Sequence, residues 1–120
     1  MDNIVLLVKS DSTVEFLGGN GSKMALVQAQ DPVVTTSAIT GPTIGTTSTQ
    51  VLAANSNRIQ AILTNDSDEV IYVAKGVAAQ LNKGIRLNAQ GGSITITNFK
   101  GAINAICTSG NKKLCVAEES

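Results

Sequence analysis

Residues 50–118 break into short apolar runs at near-regular spacing, and that rhythm is the tightest constraint on the fold. The runs are 58–64, 70–75, 84–88, 93–97, 102–107 and 113–117. Between them stand Asn65-Asp66-Ser67-Asp68, Gln90-Gly91-Gly92, Lys100-Gly101 and Ser109-Gly110-Asn111-Lys112. β-prone runs of this length with turn residues between them predict an all-β chain, a small β-sandwich or barrel-like module. Alternation assigns faces. Ile59, Ala61 and Leu63 share one side of their run, with Gln60 and Thr64 on the other and Ile62 breaking the pattern. Ile94, Ile96, Ile106, Leu114 and Val116 are expected inward, with Thr95, Thr97 and Lys113 outward. The run Val70, Ile71, Tyr72, Val73, Ala74 is apolar on both faces. Such a strand suits the centre of a sandwich or a subunit interface, and these five residues are the candidate interface. Residues 76–83, bounded by Gly76 and Gly84, read as a loop.

Composition removes whole classes of function. The chain of 120 residues is 42% hydrophobic and 15% charged, a balance that argues for a packed core and against disorder. Nine basic residues balance nine acidic ones, so the basic stripe of a nucleic-acid binder is missing. Phe16, Tyr72 and Phe99 are the only aromatic residues, too few for a base-stacking platform. No histidine is present, which rules out Ser-His-Asp and Cys-His nucleophile pairs. The expectation is no enzyme, no catalytic residue, no cofactor and no metal. Asp66, Asp68 and Glu69 resemble the start of a calcium loop, yet the twelfth position is Val77 and the sixth is not glycine. A turn explains them better. Cys107 and Cys115 have neither redox-motif nor zinc spacing. A hairpin over residues 109–112 would set them across one ladder. Asn20-Gly21-Ser22 and Asn65-Asp66-Ser67 match glycosylation acceptors and are read as turns.

The N-terminal part is organised differently. Apolar runs at 4–8, 13–17 and 24–28 are separated by Ser10-Asp11-Ser12 and by the glycine-rich stretch at 18–22. The first two suit a hairpin, with the third returning after the glycines. The stretch 18–23 carries Gly-Ser-Lys in the wrong order for a phosphate loop and precedes a strand-like run, so it is a turn. Residues 31–49 are rich in Thr, Ser and Gly and hold both prolines, Pro32 and Pro42. They read as an extended connector. The expected division is 1–49, an N-terminal arm or additional hairpin with its connector, and 50–120, the β-sandwich module. An arm reaching beyond the sandwich and strands integral to it both remain open. The run 4–8 is too short for a signal core or a membrane span, which leads to the expectation of a chain made in a cytoplasm, leaving it only within an assembly.

One set of residues carries a family likeness. Gln50-Val51-Leu52-Ala53-Ala54-Asn55-Ser56-Asn57-Arg58, Leu63-Thr64-Asn65-Asp66-Ser67, Val70-Ile71-Tyr72-Val73, Gly84-Ile85-Arg86-Leu87 with Gly91-Gly92-Ser93, Gly101 to Cys107, and Leu114-Cys115-Val116 resemble a β-sandwich module of tailed-phage structural proteins. The likeness is strongest to small head-decoration (cement) proteins and spans roughly residues 48–118. It implies a non-catalytic virion protein on the outer capsid surface, bound to the major capsid protein, as a homotrimer, without nucleic acid or membrane partners. The alternative it leaves is a receptor- or carbohydrate-binding β module of a tail or head fibre. Under the decoration reading, Ile4, Val5, Leu6, Leu7 and Val8 are candidate capsid-contact residues. Assembly in a reducing cytoplasm implies free thiols at Cys107 and Cys115.

Overall fold

A computed structural model of the chain describes the backbone of residues 5–8, 13–17 and 23–27 and, in full, residues 33–120. It divides into two compact units, Met1–Pro32 and Val33–Ser120. Every described element is a strand.

In the first unit β1 (Val5–Val8), β2 (Thr13–Leu17) and β3 (Lys23–Val27) form a three-stranded antiparallel sheet in the order β1-β2-β3. This is the hairpin-plus-return arrangement expected from the three apolar runs. Ile4 and the glycine-rich stretch 18–22 lie outside the described residues, as do the side chains of Val5, Leu6, Leu7 and Val8.

The second unit holds two antiparallel sheets. One has the order β10-β7-β12-β4, from β10 (Ser93–Thr97), β7 (Gln60–Asn65), β12 (Lys112–Glu119) and β4 (Ser37–Thr40), and β5 (Thr43–Ile44) also pairs with β12. The other has the order β6-β11-β8-β9, from β6 (Thr49–Leu52), β11 (Ile103–Cys107), β8 (Ile71–Lys75) and β9 (Ile85–Leu87). Their inner faces supply one core: Ile44, Ala61, Leu63, Ile71, Val73, Leu87, Ile96, Ile103, Ala105, Cys107, Leu114 and Val116. Val51, Leu52, Ile85, Ile94 and Phe99 pack against it. Apart from Cys107 the core residues are aliphatic, with Phe99 at the margin, as the shortage of aromatics requires.

The connector expected over 31–49 is corrected. Within it lie β4, β5 and the start of β6, all part of the module. Ile44, an isolated apolar residue in the sequence, is fully buried. The unit boundary falls after Pro32, not after residue 49. An edge strand with mostly exposed side chains reads as polar sequence, which explains the misreading. Pro42 sits between β4 and β5, where a missing N–H breaks no ladder bond, and its carbonyl accepts from Leu114 N at 3.1 Å. Gly45 O then accepts from Cys107 N at 3.0 Å. The chain thus passes from the first sheet to the second at this corner.

Two further expectations are corrected by the strand partners. Ile71 and Val73 belong to the core, so they cannot also line an intersubunit surface. Val70, Tyr72 and Ala74 are half-buried on the other side. There the loop 76–83 is tied down by the chain itself: Asn104 Nδ2 donates to Val77 O at 2.7 Å, Ala79 N to Ser48 Oγ at 2.8 Å and Tyr72 Oη to Asn82 Oδ1 at 2.9 Å. A strand apolar on both faces therefore needs no second subunit here. Ile106 is buried but stands outside the core cluster, opposite Tyr72; its neighbours Ala105 and Cys107 face inward instead. The loop 76–83 lies over the outer side of this sheet, so both faces of β11 are covered and alternation loses its meaning.

Candidate functional surface

The polar groups that sequence singled out as chemically interesting are consumed by the fold. Asn65 is fully buried at the end of β7. Its Nδ2 donates to Glu69 O at 2.7 Å and Leu87 O at 3.0 Å, while Oδ1 accepts from Ser67 N and Oγ at 3.0 and 2.6 Å. A buried amide nitrogen with two partners offers nothing to a glycosylating enzyme, so this Asn-X-Ser is a turn, as expected. Glu69 Oε1 accepts from Thr108 N at 2.6 Å and Ser109 N at 2.8 Å. Hydrogen bonding from Ser109 is the main reason its carboxyl is held below the usual carboxylate range. Asp68 pairs with Lys112 at 2.7 Å. That hydrogen bond lowers the Asp68 pKa and raises that of Lys112. Two of the three acidic residues thus fasten the turn 66–69 to the β11–β12 connection and to the first residue of β12. Among the described residues no three His, Cys, Asp or Glu side chains converge as metal ligands.

Arg58 is the polar centre that sequence reasoning missed. It is buried beside the start of β7. Its Nε donates to Glu118 Oε2 at 2.8 Å, Nη1 to Phe99 O at 3.2 Å and Gly101 O at 2.8 Å, and Nη2 to Ala53 O at 2.7 Å. Three segments are gathered by one guanidinium: the stretch after β6, the β10–β11 connection and the end of β12. The backbone carbonyl of Arg58 in turn accepts from Lys100 Nζ at 2.6 Å. With its donors satisfied and its charge matched, Arg58 is a structural clamp and not a binding residue. No spacing in the sequence separates it from a solvated arginine.

The two cysteines do not face each other. They lie on different sheets, since β11 and β12 do not form a hairpin. Cys107 is in the core, its Sγ 3.3 Å from Ile44 O, whereas Cys115 is exposed on the outer face of the first sheet. The hairpin over 109–112 that would have set them across one ladder does not form, and both thiols are free.

Among the described residues an accessible surface remains: the outer face of the first sheet and its edge at β4, which pairs with no described strand beyond β12. Cross-strand register sets Thr95, Ile62, Ala117 and Ile39 in one row over β10, β7, β12 and β4. Thr64 and Cys115 stand in the next row and help line a shallow groove with Ile39 and Ala117. All four residues of β4 are exposed, and Ile39 is 79% accessible. β4 carries no charge and no proline to blunt its free edge. Such an edge is chemically suited to adding a strand or an apolar side chain from a partner. No family model, curated protein or solved structure matches this chain.

Proposed function

We propose that the chain is a structural virion protein, a decoration (cement) protein that binds the outer surface of a phage head through the major capsid protein and stabilises it. The observation that carries the reading is the open, uncharged edge strand β4 with Ile39 exposed beside the groove on its sheet. Strand addition at such an edge supplies main-chain hydrogen bonds without charge complementarity. The balanced formal charge is compatible with many copies crowded on one particle. The buried hydrogen bonding of Arg58 and Asn65 gives a module that keeps its shape while it clamps a neighbour. In this role the protein acts by binding and not by catalysis, as a homotrimer.

The test is addition of purified protein to heads that lack it, with copies counted by quantitative mass spectrometry. The expected result is copy numbers in a simple ratio to capsid subunits, together with raised thermal stability of the particle. Ile39→Asp should lower occupancy. A few copies confined to one vertex or to the tail would point instead to a fibre module. Absence from heads at saturating protein would end the decoration reading.

A further inference from the structure

Charge balances over the whole chain but not over its second unit. Residues 33–120 hold seven basic and five acidic residues, and no acidic residue falls between Val70 and Ala117. Four of the five acids are engaged within the unit. Glu118 pairs with Arg58 and Asp68 with Lys112, Glu69 accepts from the Thr108 and Ser109 amides, and Glu119 Oε1 accepts from Gln60 Nε2 at 2.6 Å. Most basic groups are engaged too. Lys100 Nζ donates to Arg58 O, Lys113 Nζ donates to Gly41 O at 3.0 Å, and Lys75 Nζ lies 5.8 Å from the centre of the Phe99 ring. Lys83 and Arg86 are the exceptions. Both are exposed, and among the described residues neither pairs with a carboxylate. Arg86 uses only Nε, which donates to Asn88 Oδ1 at 3.1 Å. The two cations share the outer side of the second sheet. Arg86 in β9 stands opposite Tyr72 in β8. Ala74, two residues along β8, lines a pit of about 120 Å³ together with Val77, Ala78, Gln80, Lys83 and Gly84. Val77 is 65% exposed there. An apolar cavity of about 150 Å³ holds a benzene molecule, so this pit has room for one aliphatic side chain.

We infer that this face is a docking site for an acidic segment of a partner protein, with an aliphatic side chain in the pit and flanking carboxylates on Lys83 and Arg86. Charge complementarity selects the partner. Both cations lie beside the pit with no carboxylate at hand, and the two free Nη groups of Arg86 suit the two oxygens of a carboxylate. The site is formed in advance. The loop 76–83 is fixed by its bonds to Asn104, Ser48 and Tyr72, which limits the ordering cost of binding. Other polyanions fit less well. A bilayer-binding cluster takes about four to eight cations, and a nucleic-acid surface needs a basic stripe or stacking aromatics. The hydroxyl of Tyr72, the aromatic on this face, is held by Asn82. A contact this small makes a weak, transient complex. The outer faces of two packed sheets point away from each other, so this surface is separate from the groove beside β4. The inference does not rest on the decoration reading.

The test is a proton–nitrogen correlation NMR titration of the full chain with a short peptide in which Glu alternates with Leu. Two control peptides carry Gln for Glu or Ser for Leu. Amide shifts are expected in the loop 76–83 and β9, saturating with a Kd of about 0.1–1 mM. Each control peptide should bind about 10-fold more weakly. Lys83→Glu and Arg86→Glu should each weaken binding by a similar factor. Lys113→Glu, the same charge change on the first sheet, should stay within about twofold of the wild type, because that distance is screened by salt. The peptide controls leave the protein unaltered, so they decide the matter even where a charge reversal disturbs the fold. Absence of shifts at about 5 mM peptide would overturn the inference. So would shifts centred outside the loop and β9, equal binding of the Gln peptide, or a loss in Lys113→Glu equal to that in Lys83→Glu. Tighter binding at the same amides by phosphatidylserine vesicles or a single-stranded oligonucleotide would overturn it as well, by changing the class of partner.

Discussion

Replacing Arg58 by alanine removes the one side chain that ties three segments of the module together. Four hydrogen bonds disappear: those to Glu118 Oε2, Phe99 O, Gly101 O and Ala53 O. The loss of the bonds matters less than what remains. Glu118, with a side chain only 17% exposed, keeps its charge without a partner, and three carbonyls lose a donor. Breaking a buried ion pair from one side costs about 3–5 kcal/mol. For a unit of this size each kcal/mol lowers the melting temperature by about 4–8 °C, so the shift should be at least ~12 °C. Arg58→Lys should recover only part of the loss, because a single ammonium cannot reach both the carboxylate and the separated carbonyls. The informative variant is Arg58→Met with Glu118→Leu. It removes both charges while keeping volume, and should be clearly more stable than Arg58→Met alone. Urea unfolding followed by far-UV circular dichroism measures all four proteins. A cost for Arg58→Ala under 1 kcal/mol, or a double variant no better than the single one, would refute the argument that the stranded carboxylate dominates.

Three other outcomes are expected. Gly84 has φ of +78°, and an added Cβ would stand 2.7 Å from Val73 O; Gly84→Ala should therefore destabilise by about 1–3 kcal/mol, while Gly45→Ala, with open space around it, should be near neutral in the same urea titration. Cys115 should react with a thiol reagent in the native protein and Cys107 only on unfolding, because one is exposed and the other sits in the core; equal rates would contradict the strand assignment. Glu69 has a lowered pKa in the fold, so its contribution is complete above the ordinary carboxylate pKa and is lost as pH falls through the lowered value; hydrogen-exchange protection of the Thr108 and Ser109 amides should decline over that acid range, and Glu69→Gln should remove the dependence.

How much of this was legible in the sequence depended on what covers the outer face of each strand. In β7 and β12 the inward and outward sets separate cleanly: Ala61, Leu63, Leu114 and Val116 are buried, and Gln60, Thr64, Lys113 and Cys115 are not. One face of those strands meets the core and the other meets solvent, so period-two patterning carries the information. In β8 and β11 it fails. The loop 76–83 covers the outer side of their sheet, and Tyr72, Ala74 and Ile106 are apolar for that reason. From sequence this is indistinguishable from a subunit interface, since both replace water with apolar contact. The β4–β5 edge fails in the opposite sense. Ser37, Ala38, Ile39 and Thr40 gain backbone hydrogen bonds from β12 and little burial, so their side chains record almost nothing of the strand.

The candidate surface was illegible for a related reason. A catalytic site announces itself through residue types, and the absence of histidine could be read at once. An adhesive edge is defined by an unpaired backbone, which has no residue type. Ile39 was visible as an isolated apolar residue in a polar stretch, and Ile44 was visible in the same way. One proved to be 79% exposed and the other fully buried. The pairing of β12 separates them. Ile39 lies opposite Ala117, on the outward side of that strand, whereas Ile44 lies opposite Lys112, at the corner where the chain turns under Cys107 towards the second sheet. Local sequence treats the two isoleucines alike, and a strand about seventy residues away decides which is core and which is left for a partner.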